Sequence, residues 1–230
     1  DGIYVTDMLS DGDGIVRFSF DGTAQRYLEG NAYRDLTLGL DGKFYAINDI
    51  NKTIDVINPD SMQIIRNVIL DQAIDLRGVA VNKKGEIFAA SWNGRVTKHD
   101  TNGALVLLKQ PITTDLSDID IDVQGRVIFQ DRNNDVYVTN EQLEFPQTFH
   151  LPVPYSALSF VSFAKNDALV NVNPNILVTS ENRLFEYTPE GQLVKEVPVF
   201  PIPEYLARAR DLIVMKTGEI AIFNGTFDPE

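Results

Sequence analysis

A short apolar run returns six times along this chain at intervals of 40 to 49 residues, and no other feature narrows the possible folds as much. It reads Ile3-Tyr4-Val5-Thr6-Asp7, Phe44-Tyr45-Ala46-Ile47-Asn48 and Ile87-Phe88-Ala89-Ala90-Ser91. It continues as Val127-Ile128-Phe129-Gln130-Asp131, Ile176-Leu177-Val178-Thr179-Ser180 and Ile220-Ala221-Ile222-Phe223-Asn224. A period of this length marks a chain made of repeated supersecondary units. Each run also sits in the same frame. Before it comes an alternating segment and a tight turn, as in Leu36-Thr37-Leu38 before Asp41-Gly42, or Val79-Ala80-Val81 before Lys84-Gly85. After it come a polar loop, a further alternating segment (Thr53–Ile57, Asp135–Thr139), a second turn and a closing segment such as Leu105–Lys109. Glycine supplies the positive φ that such hairpin turns require.

Four strands in meander order per forty-odd residues describe one blade of a β-propeller. The predicted fold class is therefore all-β: a β-propeller of four-stranded antiparallel blades, about six units, the first and last incomplete. We label the strands of each blade a to d from the axis outward, so the recurring run is strand b. The chain opens and closes on a b strand. This sets the expectation of a single propeller domain over residues 1–230 that is part of a larger seven- or eight-bladed ring.

The phrase Gly78-Val79-Ala80-Val81-Asn82-Lys83-Lys84-Gly85-Glu86-Ile87-Phe88-Ala89 resembles the repeat of NHL-type propellers and their relatives, the streptogramin-lyase-like and the SMP-30/gluconolactonase-like families. Asp118-Ile119-Asp120-Ile121-Asp122 followed by Gly125-Arg126-Val127-Ile128-Phe129 is similar. The resemblance implies the blade fold along nearly the whole chain. From the SMP-30-like relatives it also implies a divalent cation held at the channel mouth by acidic and amide side chains, although no Glu opens a strand a here. The streptogramin-lyase relatives depend on paired histidines near the mouth, and these have no counterpart in this chain. A WD40 propeller is excluded, because Trp92 is the only Trp.

Counting back nine residues from each strand b gives Asp35, Gly78, Asp118, Asp167 and Asp211; one residue earlier stand Arg34, Arg77, Ser117, Asn166 and Arg210. Strand b itself ends on Asp7, Asn48, Ser91, Asp131, Ser180 and Asn224. In a propeller the d–a and b–c loops emerge on one face, so both sets are expected around one mouth of the channel. The candidate ligand-binding residues are therefore Arg34, Asp35, Arg77, Asp118, Asp167, Arg210, Asp211, Trp92 and Asp131. Two readings stand side by side. Carboxylates at this point can cap backbone N–H groups of the next blade while Arg pairs locally, which is structural. Alternatively the ring holds Ca²⁺ or an anion. Recurrence in several blades favours the structural reading. Candidate cation ligands are Asp118, Asp120 and Asp211, and separately Asp7, Asp11 and Asp13 around an Asp-Gly turn.

The two histidines, His99 and His150, fall on outer strands, away from the axis, and suit structural roles. No catalytic residue is singled out. The sequence holds 33 Asp and Glu against 20 Lys and Arg, a net charge of −13, which disfavours nucleic acid and anionic membranes as partners. It has no Cys, so disulfides and thiolate chemistry are excluded. No apolar run is long enough to span a bilayer. The expected function is a binding or scaffold propeller, secreted, periplasmic or on the cell surface. It would hold a protein, a small molecule or the remainder of its own ring. The alternative is a Ca- or Zn-dependent lactonase-type hydrolase.

Overall fold

The structure, a computed structural model, describes residues 2–7, 14–19, 21–72, 75–110, 115–144, 147–151, 159–163, 175–180, 183–198, 209–214 and 220–224. Its regular elements are β-strands in successive antiparallel sheets, each made from one stretch of chain. The first sheet has three strands, β1 (Ile3–Asp7), β2 (Gly14–Phe18) and β3 (Ala24–Tyr27). The second is β4 (Tyr33–Leu38), β5 (Phe44–Asn48), β6 (Thr53–Ile57) and β7 (Ile64–Val68). The third is β8 (Leu76–Val81), β9 (Ile87–Ser91), β10 (Val96–His99) and β11 (Leu105–Lys109). The fourth is β12 (Leu116–Ile121), β13 (Val127–Asp131), β14 (Asp135–Thr139) and β15 (Gln147–His150). The fifth is β16 (Ser159–Phe163), β17 (Ile176–Ser180), β18 (Arg183–Tyr187) and β19 (Leu193–Pro198), and β20 (Ala209–Val214) pairs with β21 (Ile220–Asn224).

Among the described residues five sheets have the three or four strands of a blade and the sixth is a hairpin, so five blades replace the about six units, the first and last incomplete, counted from the repeat. The inner strand of the fifth blade is Ser159–Phe163, paired Ser159↔Ser180 through Phe163↔Ile176, and does not begin at Asp167. The extra residues of that repeat thus lie between strands a and b, where a length count alone cannot locate them.

The chain divides into two compact units, Asp1–Ala89 with Thr97–Leu108, and Ala90–Val96 with Lys109–Glu230. In the first, β5 is buried along its whole length, and its two faces serve different cores. Phe44 and Ala46 pack with Ile15, Tyr33, Ile57 and Met62 of the first two sheets. Tyr45 and Ile47 pack with Val79, Val81, Ile87 and Ala89 of the third. A strand covered on both sides must be apolar at every position, which is why the recurring run does not alternate. In the second unit Ile128, Val136 and Val138 pack against Ile176, Val178, Phe185 and Tyr187. Ala46, Ala89, Val138 and Val178 are all buried, as the repeat predicts. Burial falls off in the fourth strands β7, β11 and β19, where Ile65, Val106 and Val194 are about half exposed.

Polar contacts add direction to this packing. Within the first unit Leu40 N–H donates to Val81 O at 3.0 Å, and Asp71 N–H to Gly103 O at 3.1 Å, each joining neighbouring sheets.

Candidate functional site

The β-bulge at the start of strand a positions one set of the candidate residues. Register shifts fall between Tyr33 and Leu36, between Leu116 and Asp118, and between Ala209 and Asp211, so two blades and the β20–β21 hairpin break their ladder at the same place. A bulge re-aims the side chain beside it. Asp35 Oδ1 accepts from Leu36 N–H at 2.8 Å, while Oδ2 accepts from Val79 N–H, in the third sheet, at 2.8 Å. Asp118 Oδ1 accepts from Ile119 N–H at 2.8 Å in the same way. Asp35 therefore ties two blades together. Arg34 does not pair with it; its guanidinium meets Asp49 just past β5. Arg77, half-buried, lies in the first unit with Arg34 and Asp35.

Below Asp35 the same sheet buries a carboxylate. Asp55 is fully buried and accepts from Tyr33 Oη at 2.8 Å, Asn48 Nδ2 at 2.9 Å, Thr53 Oγ1 at 2.8 Å and Asn67 Nδ2 at 2.7 Å. Desolvation, then the hydrogen bond to Asp55, pushes the Tyr33 phenol well above its ordinary range. Four donors around one carboxylate make a structural hub, and Asn48, a candidate by position, is part of it.

In the second unit the b–c turns dominate. Gly94 N–H donates to Ser91 O, and Asn134 N–H to Asp131 O, each at 3.1 Å. Gly94 and Asn134 both take positive φ, 77° and 66°. The turns Ser91-Trp92-Asn93-Gly94 and Asp131-Arg132-Asn133-Asn134 are thus the same turn in successive blades, with Trp92 and Arg132 at the same position. The Arg132 guanidinium carbon lies 3.9 Å from the centre of the Trp92 ring. Asp131, buried, spends Oδ1 on Asn133 and Asp135 N–H, both 2.9 Å, and Oδ2 accepts from Tyr137 at 3.2 Å. It is a turn-fixing residue. Burial, then the charge of Asp131, raises the Tyr137 phenol. Asp120 is buried with Oδ1 on Ile121 N–H at 2.8 Å.

Among the described residues no group of three His, Cys, Asp or Glu could hold a metal ion. Asp167, Asp11 and Asp13 lie outside the described residues; Asp7 ends β1, and Arg210 and Asp211 lie on β20. His99 and His150 stand on β10 and β15, third and fourth strands of their sheets.

Position counting missed Arg132, one residue beyond the end of strand b, although the repeat that found Trp92 contained it. It also passed over Gln130, whose amide O and N are buried without a hydrogen-bond partner and which pairs across the ladder with Asp118. Tyr33 and Asp55 were missed because a buried carboxylate on strand c reads as ordinary polar alternation.

No protein-family profile matches this chain, and no curated protein matches it. Solved structures do. A streptogramin B lyase matches over 96% of this chain and 72% of its own, with 14% identity and a TM-score of 0.69. Selenomethionine-substituted virginiamycin B lyase from Staphylococcus aureus matches over 86% and 66%, with 14% identity and a TM-score of 0.62. A catalytically inactive virginiamycin B lyase from Staphylococcus aureus with quinupristin matches over 91% and 76%, with 16% identity and a TM-score of 0.62. This likeness shows the β-propeller fold.

Proposed function

We propose that this chain is a binding propeller that holds a ligand or protein partner on the face where its b–c turns emerge. The observation that carries the reading is the stack of Arg132 on Trp92. Both side chains sit at the tips of tight turns, Trp92 half-buried and Arg132 exposed. Core packing does not need a Trp at a turn tip, and Trp and Arg are the residues that most often anchor partners. The recurring Asp residues, by contrast, are occupied with backbone N–H groups where their contacts are described.

Trp92 is the only Trp, so its fluorescence reports on this place alone. Thermal melting across a panel of small acids, bases, sugars and peptides should find a stabilising ligand that also shifts Trp92 emission. The stabilisation should disappear in Trp92→Ala. Stabilisation that survives this substitution would put binding elsewhere and overturn the reading.

A second reading has its own observation. The unpartnered Gln130 amide stands across the ladder from Asp118, on the strand paired with the one that carries Asp118 and Asp120; an amide oxygen with carboxylates is the donor chemistry of a Ca²⁺ site in a lactonase-type hydrolase. Melting with and without Ca²⁺ or Zn²⁺, in wild type and Asp118→Ala, tests it: a metal-dependent gain lost in the variant supports it.

A further inference from the structure

We infer that Arg132, seated over Trp92, is a receptor for a carboxylate group; this rests on the binding-face reading above and names the chemistry the face takes. The guanidinium carbon lies over the indole, 3.9 Å from its centre, so the ring face confines the group on one side. Its backbone is fixed too: Arg132 N–H donates to Asp115 O at 2.9 Å, and the turn closes through Asn134 N–H. The rigid donor fork still has spare capacity. Its one polar side-chain contact among the described residues is a loose ion pair, Arg132 Nη1 to Asp115 Oδ2 at 3.6 Å, with no hydrogen bond. The side chain is 45% exposed, so solvent and ligands can reach it.

A guanidinium over an aromatic face is a planar donor fork, and its edge matches the two oxygens of a carboxylate. Stacking also removes most of the rotamer freedom that an exposed Arg otherwise loses on binding. Asp115 is the one described acid at its edge. It keeps the guanidinium in place without saturating it, and it competes with an arriving carboxylate. The net charge of −13 acts in the same direction, since it repels anions that lack a specific partner. Bulk electrostatics therefore select against a loosely held anion and leave bidentate geometry to decide.

The carboxylate can come from a small acid or from a peptide, and the test separates the two. Purified protein is titrated at constant ionic strength with benzoate, with its neutral counterpart benzamide, and with an N-acetylated, C-amidated Gly-Glu-Gly peptide and its Gln counterpart. Trp92 fluorescence is the readout. We expect a saturable change with benzoate, with the Glu peptide or with both, and none with the neutral counterparts. Response to benzoate alone assigns the site to small acids; response to the Glu peptide assigns it to acidic protein segments. Arg132→Gln should weaken binding about tenfold or more, the worth of a charged bidentate pair. Arg132→Lys should recover only part of it, and Asp115→Asn should tighten it about threefold. Absence of a saturable change with either carboxylate, an equal response to the neutral counterparts, or affinity unchanged in Arg132→Gln would each overturn the inference. A panel ligand that is lost in Trp92→Ala but binds Arg132→Gln normally would sink the carboxylate claim alone and leave the binding-face reading standing.

Discussion

Two buried groups set the terms at the scale of single residues. Asp55 has no cation beside it among its described contacts, yet four donors satisfy it. Removing the carboxylate would leave those donors buried and unpaired, so Asp55→Ala should cost about 3–5 kcal/mol in urea unfolding. Tyr33→Phe removes one donor of four and should cost about 1–2 kcal/mol. His99 is fully buried, with Nδ1 3.1 Å from Gly103 O and Nε2 without a partner. Burial holds its pKa below the ordinary 6.5, against the opposing pull of the Gly103 carbonyl, Asp71 and Asp100. The unfolded chain then takes up a proton at a higher pH than the folded one. Stability is unaffected by His99 above pH 6.5 and falls below it, by up to about 1.4 kcal/mol per pH unit until the folded value is reached. Unfolding free energies between pH 5 and 8 should show this slope in wild type and a shallower one in His99→Gln.

At the scale of the strand and turn, legibility depended on whether neighbours in sequence decide the outcome. Strands β6, β11, β14 and β18 run as the alternation predicts because each is held by ladders to adjacent strands of the same unit. The Asp35 tie to Val79 was legible as one of two options, since a carboxylate at a bulge needs donors and the nearest are backbone N–H groups. The a strand of the fifth blade was not legible, because a 49-residue spacing does not say which connection carries the extra residues. The Arg132–Trp92 stack was not legible either: it requires two turns of identical geometry in different blades. Turn geometry also grades the glycines. Gly103 has φ +93°, and a Cβ there would stand 2.2 Å from Ile69 O of the neighbouring sheet; Gly22 has φ +86° and open space around it. Gly103→Ala should therefore lower stability by about 3 kcal/mol or more, and Gly22→Ala by only about 1–2 kcal/mol, the backbone term alone. Equal losses in thermal melting would mean that the close approach of the two sheets is wrong.

At the scale of the whole molecule, charge is the property that acts everywhere. A net charge of −13 on 230 residues favours the expanded chain through self-repulsion. Screening relieves it, so Tm should rise by a few degrees between about 0.02 M and about 0.5 M NaCl. A flat or falling Tm would show that surface ion pairs such as Arg34–Asp49 outweigh the excess of carboxylates. The sheets carry another molecule-wide consequence. Each described sheet is drawn from one continuous stretch of chain, so its strands pair with neighbours made shortly before or after them. Ribosomes add about 5–20 residues each second, so a blade's worth of chain emerges in about 2–8 s, far longer than a hairpin needs to zip. The nascent protein can thus lay down its blades in order of synthesis. Protease protection of ribosome-arrested chains should then grow in steps of one blade, and a single late step at full length would rule this out.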